Sequence, residues 1–404
     1  ERSCFHHGRV GKLEGTGEDP VAGGPEENEG SGWLDHLINL GNYRFEIGET
    51  QNSNMRWRPA GVCNAKTHPG KYRPENEDCS AAKHHFVELN EWSWPERSVE
   101  AEKASFEYQA DRFLVGDEPS AGMKEALLER VCQDYPKVKP ADWCDDAIFD
   151  KVIESLLRDD VSGRSKPGVP LQTLGNTNKE VLSKHRDLVV NCVRERLNLL
   201  ARSNVGDLEN MSPEELVRGG YVDPIRLFIK KEPHPILKVQ QRRFRLICSI
   251  SLIDQLVERV LHYRQVEAEI RDWRHIPSKP GCSTGKDEDV QYLAEEIFAR
   301  MRKEKVVDID ISGFDWSVQN WEMEFEIEAR IRLADQASEF WKNAARARVR
   351  CLCRGLFVFK DGSMVAQLTP GLQKSGSYLT ASGNSRIKVA LGYLIGASWV
   401  IAYG

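Results

Sequence analysis

The spacing of apolar positions changes character along the chain. Residues 1–95 show little periodic apolar pattern and are rich in Gly, Glu, Asn and Pro; the run from Gly11 to Gly32 reads as a flexible, acidic linker. From Pro95 onward apolar residues recur at helical spacing, which predicts helices near 97–113, 122–134, 141–158, 178–202, 252–272 and 286–304. Ser212-Pro213-Glu214-Glu215 predicts another helix start, with Ser as the cap, Pro at the first position and Glu215 closing a capping box. Residues 305–310 alternate as a short strand, followed by a turn at Ser312-Gly313 and a long helix over about 320–350. Residues 356–368 predict a hairpin with Asp361-Gly362 as its two-residue turn, 377–395 a helix and 399–403 a strand. There are no internal repeats.

Composition narrows the class. With 404 residues the chain holds two or three domains' worth of material, and a hydrophobic fraction of 40% is enough for a core. The net charge of −6 does not advertise nucleic-acid binding, but charge is unevenly spread. Residues 1–54 carry ten Asp/Glu against four Lys/Arg, whereas residues 226–264 carry nine Lys/Arg against three Asp/Glu. The second stretch could hold phosphates. Ten scattered cysteines without a C-x-x-C pair fit a reduced, intracellular protein. No signal peptide is visible. The longest apolar stretch, 389–404, is too short to span a bilayer and is broken by Gly392, Gly396 and Ser398. Glu1 at the front and an apolar run stopping at Gly404 both read as excision points.

Four segments carry candidate chemistry. Asp310-Ile311-Ser312-Gly313-Phe314-Asp315 puts one carboxylate at the end of the expected strand and a second just past a glycine turn. Nucleotidyl transfer needs carboxylates that hold Mg2+ against a triphosphate and an attacking hydroxyl, and a strand-end Asp is rigid enough for that. Asp315, set back, is better placed to touch a sugar. Two turn-forming Asp residues account equally well for this motif taken alone. In the stretch from Ser375 to Ser385, Thr380 and Asn384 are four apart and share one helix face. Small residues there let a template and a nucleotide approach the backbone. An Asn facing an Asp can read a ribose 2′-hydroxyl; by itself the stretch also suits a tightly packed core helix. Lys230-Lys231-Glu232-Pro233-His234, Lys238 and Arg242-Arg243-Phe244-Arg245 form a basic arm. Its cations can follow a triphosphate or lie in solvent. Ser165-Lys166-Pro167-Gly168-Val169-Pro170 is a stiff loop able to guide a strand.

In this order and at these separations the four segments resemble motifs G, F, A and B of viral RNA-dependent RNA polymerases, most nearly those of the sobemovirus and polerovirus group. The stretch from Asp223 to His234 is similar to that group's entry into motif F. Ile276-Pro277-Ser278-Lys279-Pro280-Gly281, Gly313-Phe314-Asp315-Trp316-Ser317-Val318 and Ser375-Gly376-Ser377-Tyr378 are also similar to its sequences. The likeness covers roughly residues 95–404.

The resemblance implies a right-hand polymerase of the α+β class, helix-rich with a small antiparallel palm sheet. Residues 1–95 would be an acidic, flexible polyprotein segment, 96–300 the fingers and 301–404 a partial palm, with no thumb. It implies RNA-directed synthesis of RNA on a positive-strand viral genome, with two Mg2+ (or Mn2+) ions holding the attacking and leaving oxygens. Asp310 would ligate both ions, and Asp315 and Asn384 would select ribose. Ser375, Gly376 and Thr380 would support the incoming nucleotide and the template, Lys230, Lys238 and Arg245 would contact phosphates, and Ser165, Pro167, Gly168 and Pro170 would line the template channel. Asp308 shares a strand face with Asp310 but does not match the family's metal aspartate. The implied partners are single-stranded RNA template, nascent RNA, NTPs, a protein primer and other viral replication proteins, in membrane-associated complexes of the host cytoplasm. Residues 399–404 resemble the strand and glycine of the family's Gly-Asp-Asp motif C. Its aspartates do not follow here, so the chain alone is expected not to catalyse.

Other motifs fit less well. Gly281-Cys282-Ser283-Thr284-Gly285-Lys286 fails as a P-loop, with Pro280 in place of the first Gly and Asp287 in place of Ser or Thr. Ser375-Gly376 lacks the Gly and the His–Asp set of a serine protease. Cys63, His68, Cys79 and His84 have a spacing compatible with a tetrahedral zinc site, against the plainer account of chance Cys and His residues. Trp92, Trp94 and Pro95 read as an anchor for the start of the main domain. Two rival functions are a non-catalytic RNA-binding segment of a viral polyprotein, in which Asp310 is dispensable, and a reverse transcriptase, against which the Asp315–Asn384 pair argues.

Overall fold

The computed structural model describes residues 32–46, 56–65, 91–141 and 143–403. Its strands are β1 (Tyr43–Phe45), β2 (Trp57–Cys63), β3 (Trp92–Ser93), β4 (Ile225–Ile229), β5 (His234–Pro235), β6 (Leu246–Ser249), β7 (Leu356–Val358) and β8 (Ser363–Gln367). Six of them form one sheet in the order β1-β2-β8-β7-β4-β6, and β3 pairs with β5. The pairings are antiparallel except β4 with β7, which run parallel. The chain is thus helix-rich with a small sheet, antiparallel but for the β4–β7 pair, as the α+β expectation has it, and the sheet takes strands from both sides of residue 300. β4 buries Ile225, Leu227 and Ile229 by simple alternation, against Phe106, Phe244, Leu246, Phe357 and Phe359.

Part of the segment expected to be flexible is folded. Trp33–Gly41 is a helix with Leu37 fully buried, and β1 and β2 extend the sheet. Apolar residues at Leu34, Leu37, Ile38 and Leu40 give that helix its face, a short pattern set in Gly- and Glu-rich sequence. Residues 11–31 of the expected linker lie outside the described residues. The Trp92 and Ser93 backbone is tied to Pro235 and His234, so this stretch does anchor on the basic arm.

The helices Val99–Arg112, Ala121–Cys132, Asp146–Ser155, Asn178–Arg202, Leu252–Arg271 and Asp287–Met301 lie where apolar spacing predicts them. Five start at a side-chain cap: Ser98, Ser120, Asp145, Thr177 and Ser251 each accept a backbone N–H. The cap at Asp145 explains why the third begins later than residue 141. Ser212 and Glu215 form the expected capping box. The long helix expected over 320–350 is two, Asn320–Leu333 and Glu339–Leu352. They are broken where Gln336 takes φ 53° and Ser338 caps the second. The hairpin turn has three residues, Lys360-Asp361-Gly362, because Gly362 at φ 86° donates its N–H to Phe359 (2.9 Å) and makes a bulge.

Two expected strands do not form. Residues 305–310 are irregular, and Val307 and Ile309 are 64% and 63% exposed. Their alternation suits a strand, but none of the described strands lies alongside to supply a ladder. Residues 399–403 make a single bridge, Ala402 beside Ser278. No helix among the described residues is long and apolar enough to cross a membrane.

Candidate active site

The site is built where three segments meet: the turn at 312–316, the loop at 371–377 with the helix Thr380–Leu394, and the end of β6. Gly313, at φ 66°, turns the chain into a single helical turn, Phe314–Trp316, that carries Asp315. The loop is zipped onto this turn by its backbone. Gln373 N–H donates to Asp315 O (2.9 Å) and Leu372 N–H to Val318 O (2.8 Å). Gly371 permits this approach, since a Cβ there would lie 2.8 Å from Val318 O.

Asn384, buried on the Thr380–Leu394 helix, donates from Nδ2 to Asp315 Oδ1 at 2.8 Å. Asn384 Oδ1 is buried without a hydrogen-bond partner. Burial pushes the Asp315 carboxyl above its ordinary range, opposed by the Asn384 amide and by the nearby charges of Arg245 and Lys388. Ser375 Oγ accepts the Cys248 N–H of β6 (3.0 Å). A Cβ on Gly376 would lie 2.2 Å from Cys248 O, so only glycine lets the loop lie this close to the strand. The Thr380 hydroxyl faces back into the loop, against Lys374 O (3.0 Å) and Ser377 O (2.8 Å), and receives Gln373 Nε2 (3.3 Å).

The basic arm flanks this junction. Lys230 pairs with Glu232 at 2.8 Å and Arg245 reaches the same carboxylate at 3.8 Å, while Lys238 is exposed on the short helix Ile236–Gln240. Of the 165–170 loop, Ser165 is exposed but Pro167, Gly168 and Pro170 are buried. Pro167 O accepts Leu252 N–H (2.8 Å), and Gly168, at φ 74°, packs against Ser251. Pro167 and Gly168 thus brace the start of the Leu252–Arg271 helix, while Pro170 O accepts the Thr173 N–H (3.1 Å) and hydroxyl (2.9 Å). Asp310 and Asp308 are exposed on the irregular 305–310 stretch.

Among the described residues no three His, Cys, Asp or Glu side chains come together as a metal site. Asp310 offers a lone exposed carboxylate and Asp315 is engaged with Asn384, a donor set short of what Mg2+ takes. Of the expected zinc ligands, Cys63 is buried in β2, its thiol donating to Gly41 O (3.5 Å) and raised in pKa by burial. His68, Cys79 and His84 lie outside the described residues.

The supports of the site were not among the expected residues. Lys374, next to Ser375, is fully buried and donates to Gln367 Oε1 (2.8 Å), Gly371 O (2.7 Å) and Leu372 O (3.0 Å); burial brings its pKa down to about 8. Glu258 accepts Ser377 Oγ (2.8 Å) and Tyr378 N–H (2.7 Å) while paired with Arg348 (2.7 Å). About three turns further along the same helix, Glu269 joins Arg330, Arg386 and Glu326 in a buried cluster that also holds Ser382.

Comparison with known proteins agrees on one family. A model described as viral RNA-directed RNA-polymerase matches residues 75–404. The replicase polyprotein P2AB of Southern cowpea mosaic virus is 39% identical over 378 residues, 91% of this chain and 39% of that protein. Protein P1-P2 of Potato leafroll virus is 36% identical over 337 residues, 78% of this chain and 32% of that protein. The chain thus spans about two fifths or less of the length of these curated relatives. In fold it is similar to the Sicinivirus 3Dpol RNA dependent RNA polymerase, with a TM-score of 0.55 at 15% identity, over 77% of this chain and 61% of that one.

Proposed function

The chain belongs to the family of viral RNA-directed RNA polymerases, and on that premise we propose that the protein carrying it copies positive-strand viral RNA from NTPs on a single-stranded RNA template. The observation that carries the proposal is the Asp315–Asn384 pair. Asn384 holds Asp315 at 2.8 Å and keeps one buried acceptor, Oδ1, unsatisfied. A ribose 2′-hydroxyl donates and accepts, so it can enter this pair and satisfy that acceptor, whereas a deoxyribose offers neither.

The remaining roles are those the family resemblance implies. Arg245, whose charge reaches Asp315, and Lys230 and Lys238 on the same arm would meet the triphosphate, offsetting charge on the departing pyrophosphate. Ser375 and Gly376 would present backbone to the nucleotide, their own geometry set by Cys248. Asp310, an exposed carboxylate five residues before Asp315, would serve the reacting centre where the RNA 3′-hydroxyl attacks the α-phosphate.

The test is Asp310→Ala in the full-length protein. Primer extension should fall below a few per cent of wild type while binding to single-stranded RNA stays near normal. Elongation at the wild-type rate would remove Asp310 from the centre and favour the rival, a non-catalytic RNA-binding segment.

A further inference from the structure

We propose that the Val99–Arg112 helix is a splint that fixes the basic arm relative to the Asp315 turn, with Arg112 as the positioning residue through which it governs nucleotide selection. The inference rests on the polymerase reading above and adds residues far from the motifs in sequence.

Ser105, Tyr108 and Arg112 are spaced three and four apart and so lie on one face of the helix. The first two hold the arm. Ser105 Oγ donates to Arg242 O (2.6 Å) and accepts Phe244 N–H (3.2 Å), gripping the backbone on both sides of Arg243. The Arg243 guanidinium lies 4.3 Å over the Tyr108 ring and also hydrogen-bonds its hydroxyl. Arg112 sits 5.6 Å from the same ring and holds the turn: its Nη2 donates to Ser312 O (3.0 Å) and Ser312 Oγ (2.9 Å). The contact is close, since a Cβ on Gly313 would fall 3.0 Å from Arg112 Nη1.

The chain leaving the helix ties down the other end of the same segment. Gln319 Nε2 donates to Leu114 O (3.0 Å), and its Oε1 accepts Gly116 N–H (3.0 Å). Asp315 therefore sits in a short segment held at Ser312 and at Gln319 by residues 112–116, while the same helix holds the arm that bears Arg245. The groups that would read the sugar and the phosphates share one rigid mount.

The contacts of Arg112 and Gln319 are exposed, so each adds little to stability. Their value lies in geometry, because a displacement of about 1 Å in a positioned group can cost roughly a hundredfold in rate. The expected signature is a change in selectivity without a change in folding.

The experiment compares wild-type, Arg112→Ala, Arg112→Lys and Asp310→Ala full-length proteins in primer extension with single ribo- and deoxynucleotides. Arg112→Ala should raise KM for the NTP and lower the ribo-to-deoxy ratio of kcat/KM by about tenfold, with kcat within a few fold and the melting temperature unchanged. Arg112→Lys, which keeps the charge and a donor but has a shorter reach and lacks the planar guanidinium beside the Tyr108 ring, should fall between. The ratio is independent of the active fraction, so a partly unfolded preparation does not mimic the effect. Should Arg112→Ala melt early, the ratio for Arg112→Lys decides. An unchanged ratio in both Arg112 variants overturns the splint. A wild-type protein that makes no RNA, or an Asp310→Ala protein that makes it normally, instead overturns the polymerase reading, and the splint falls with it.

Discussion

Replacing Glu269 by Gln should destabilise the protein by about 3–5 kcal/mol, the usual cost of removing one partner from a buried ion pair. Glu269, on the Leu252–Arg271 helix, is almost fully buried and faces two guanidiniums that are also buried, Arg330 and Arg386. Glu326 is the second carboxylate, at 2.7 Å from Arg330 and 2.8 Å from Arg386. Two charges of each sign thus share one dry cluster, and the Gln leaves one guanidinium charge uncompensated. The change is nearly isosteric, so no cavity contributes. The pH dependence has a definite sign. Burial opposes ionisation of Glu269, but Arg386, Arg330 and Ser382 outweigh it and hold its pKa below the ordinary 4.5. Its contribution is therefore complete above pH 4.5 and is lost as the pH falls through the folded value, so the gap between wild type and variant should narrow in acid. Urea denaturation at pH 7, followed by tryptophan fluorescence, measures the difference. The control is Glu328→Gln, whose partner Arg346 lies at 2.5 and 2.9 Å but where both side chains are over a third exposed; it should cost under about 1 kcal/mol. If Glu269→Gln costs no more than that control, the cluster is not the dry, balanced unit described here.

Two further changes probe the site's frame. Gly376→Ala should cost about 1–3 kcal/mol and reduce RNA synthesis, because the new Cβ would sit 2.2 Å from Cys248 O and push Ser375 off the Cys248 N–H; unaltered stability on urea denaturation would contradict the close approach. Glu322, buried with the Gln319 N–H (2.7 Å) as its compensating partner, has its pKa pushed up to about 7 by burial. The folded state therefore keeps a proton that the unfolded state gives up above pH 4.5, so stability should fall by up to about 3 kcal/mol between pH 4.5 and 7 in wild type, and Glu322→Gln should remove that slope; parallel curves would show that Glu322 does not titrate in this window.

What was legible in the sequence is what local rules decide. Ser212 with Glu215, Ser98 and Ser251 are caps whose chemistry acts over three residues. The break at Ser338 follows the same rule and was hidden by apolar spacing that runs on through both helices. The pairing of Asp315 with Asn384 is an expectation carried by the likeness of their motifs to a family. Their contact is real at 2.8 Å. The buried charges were not legible. Glu269 and Arg386 are 117 residues apart, and in sequence each is one more polar position on a helix. Only the packing of three helices turns them into a core. The strand at 305–310 failed for the converse reason: alternation of Val307 and Ile309 with Asp308 and Asp310 is a local pattern, but a strand is a property of two neighbours.

The stretch Ile276-Pro277-Ser278-Lys279-Pro280-Gly281 shows how a motif can be specific and yet chemically silent. It resembles the family without offering a reactive group, and the structure gives it a backbone task. Pro277 O accepts Ala402 N–H (3.1 Å) and Lys279 N–H donates to Ala402 O (3.0 Å), so the stretch is a docking strip for residues 399–403. Lys279 is buried to stiffen the strip, its ammonium on Ile276 O (2.9 Å), Trp273 O (3.3 Å) and Glu296 (3.3 Å). Gly281 must be glycine, because a Cβ would meet Ile270 O at 2.2 Å. From the other side Lys388, on the helix that carries Asn384, donates to Tyr403 O (3.0 Å). The segment that resembles the motif C strand is therefore registered against the helix that carries Asn384 by residues whose identities are fixed by fit.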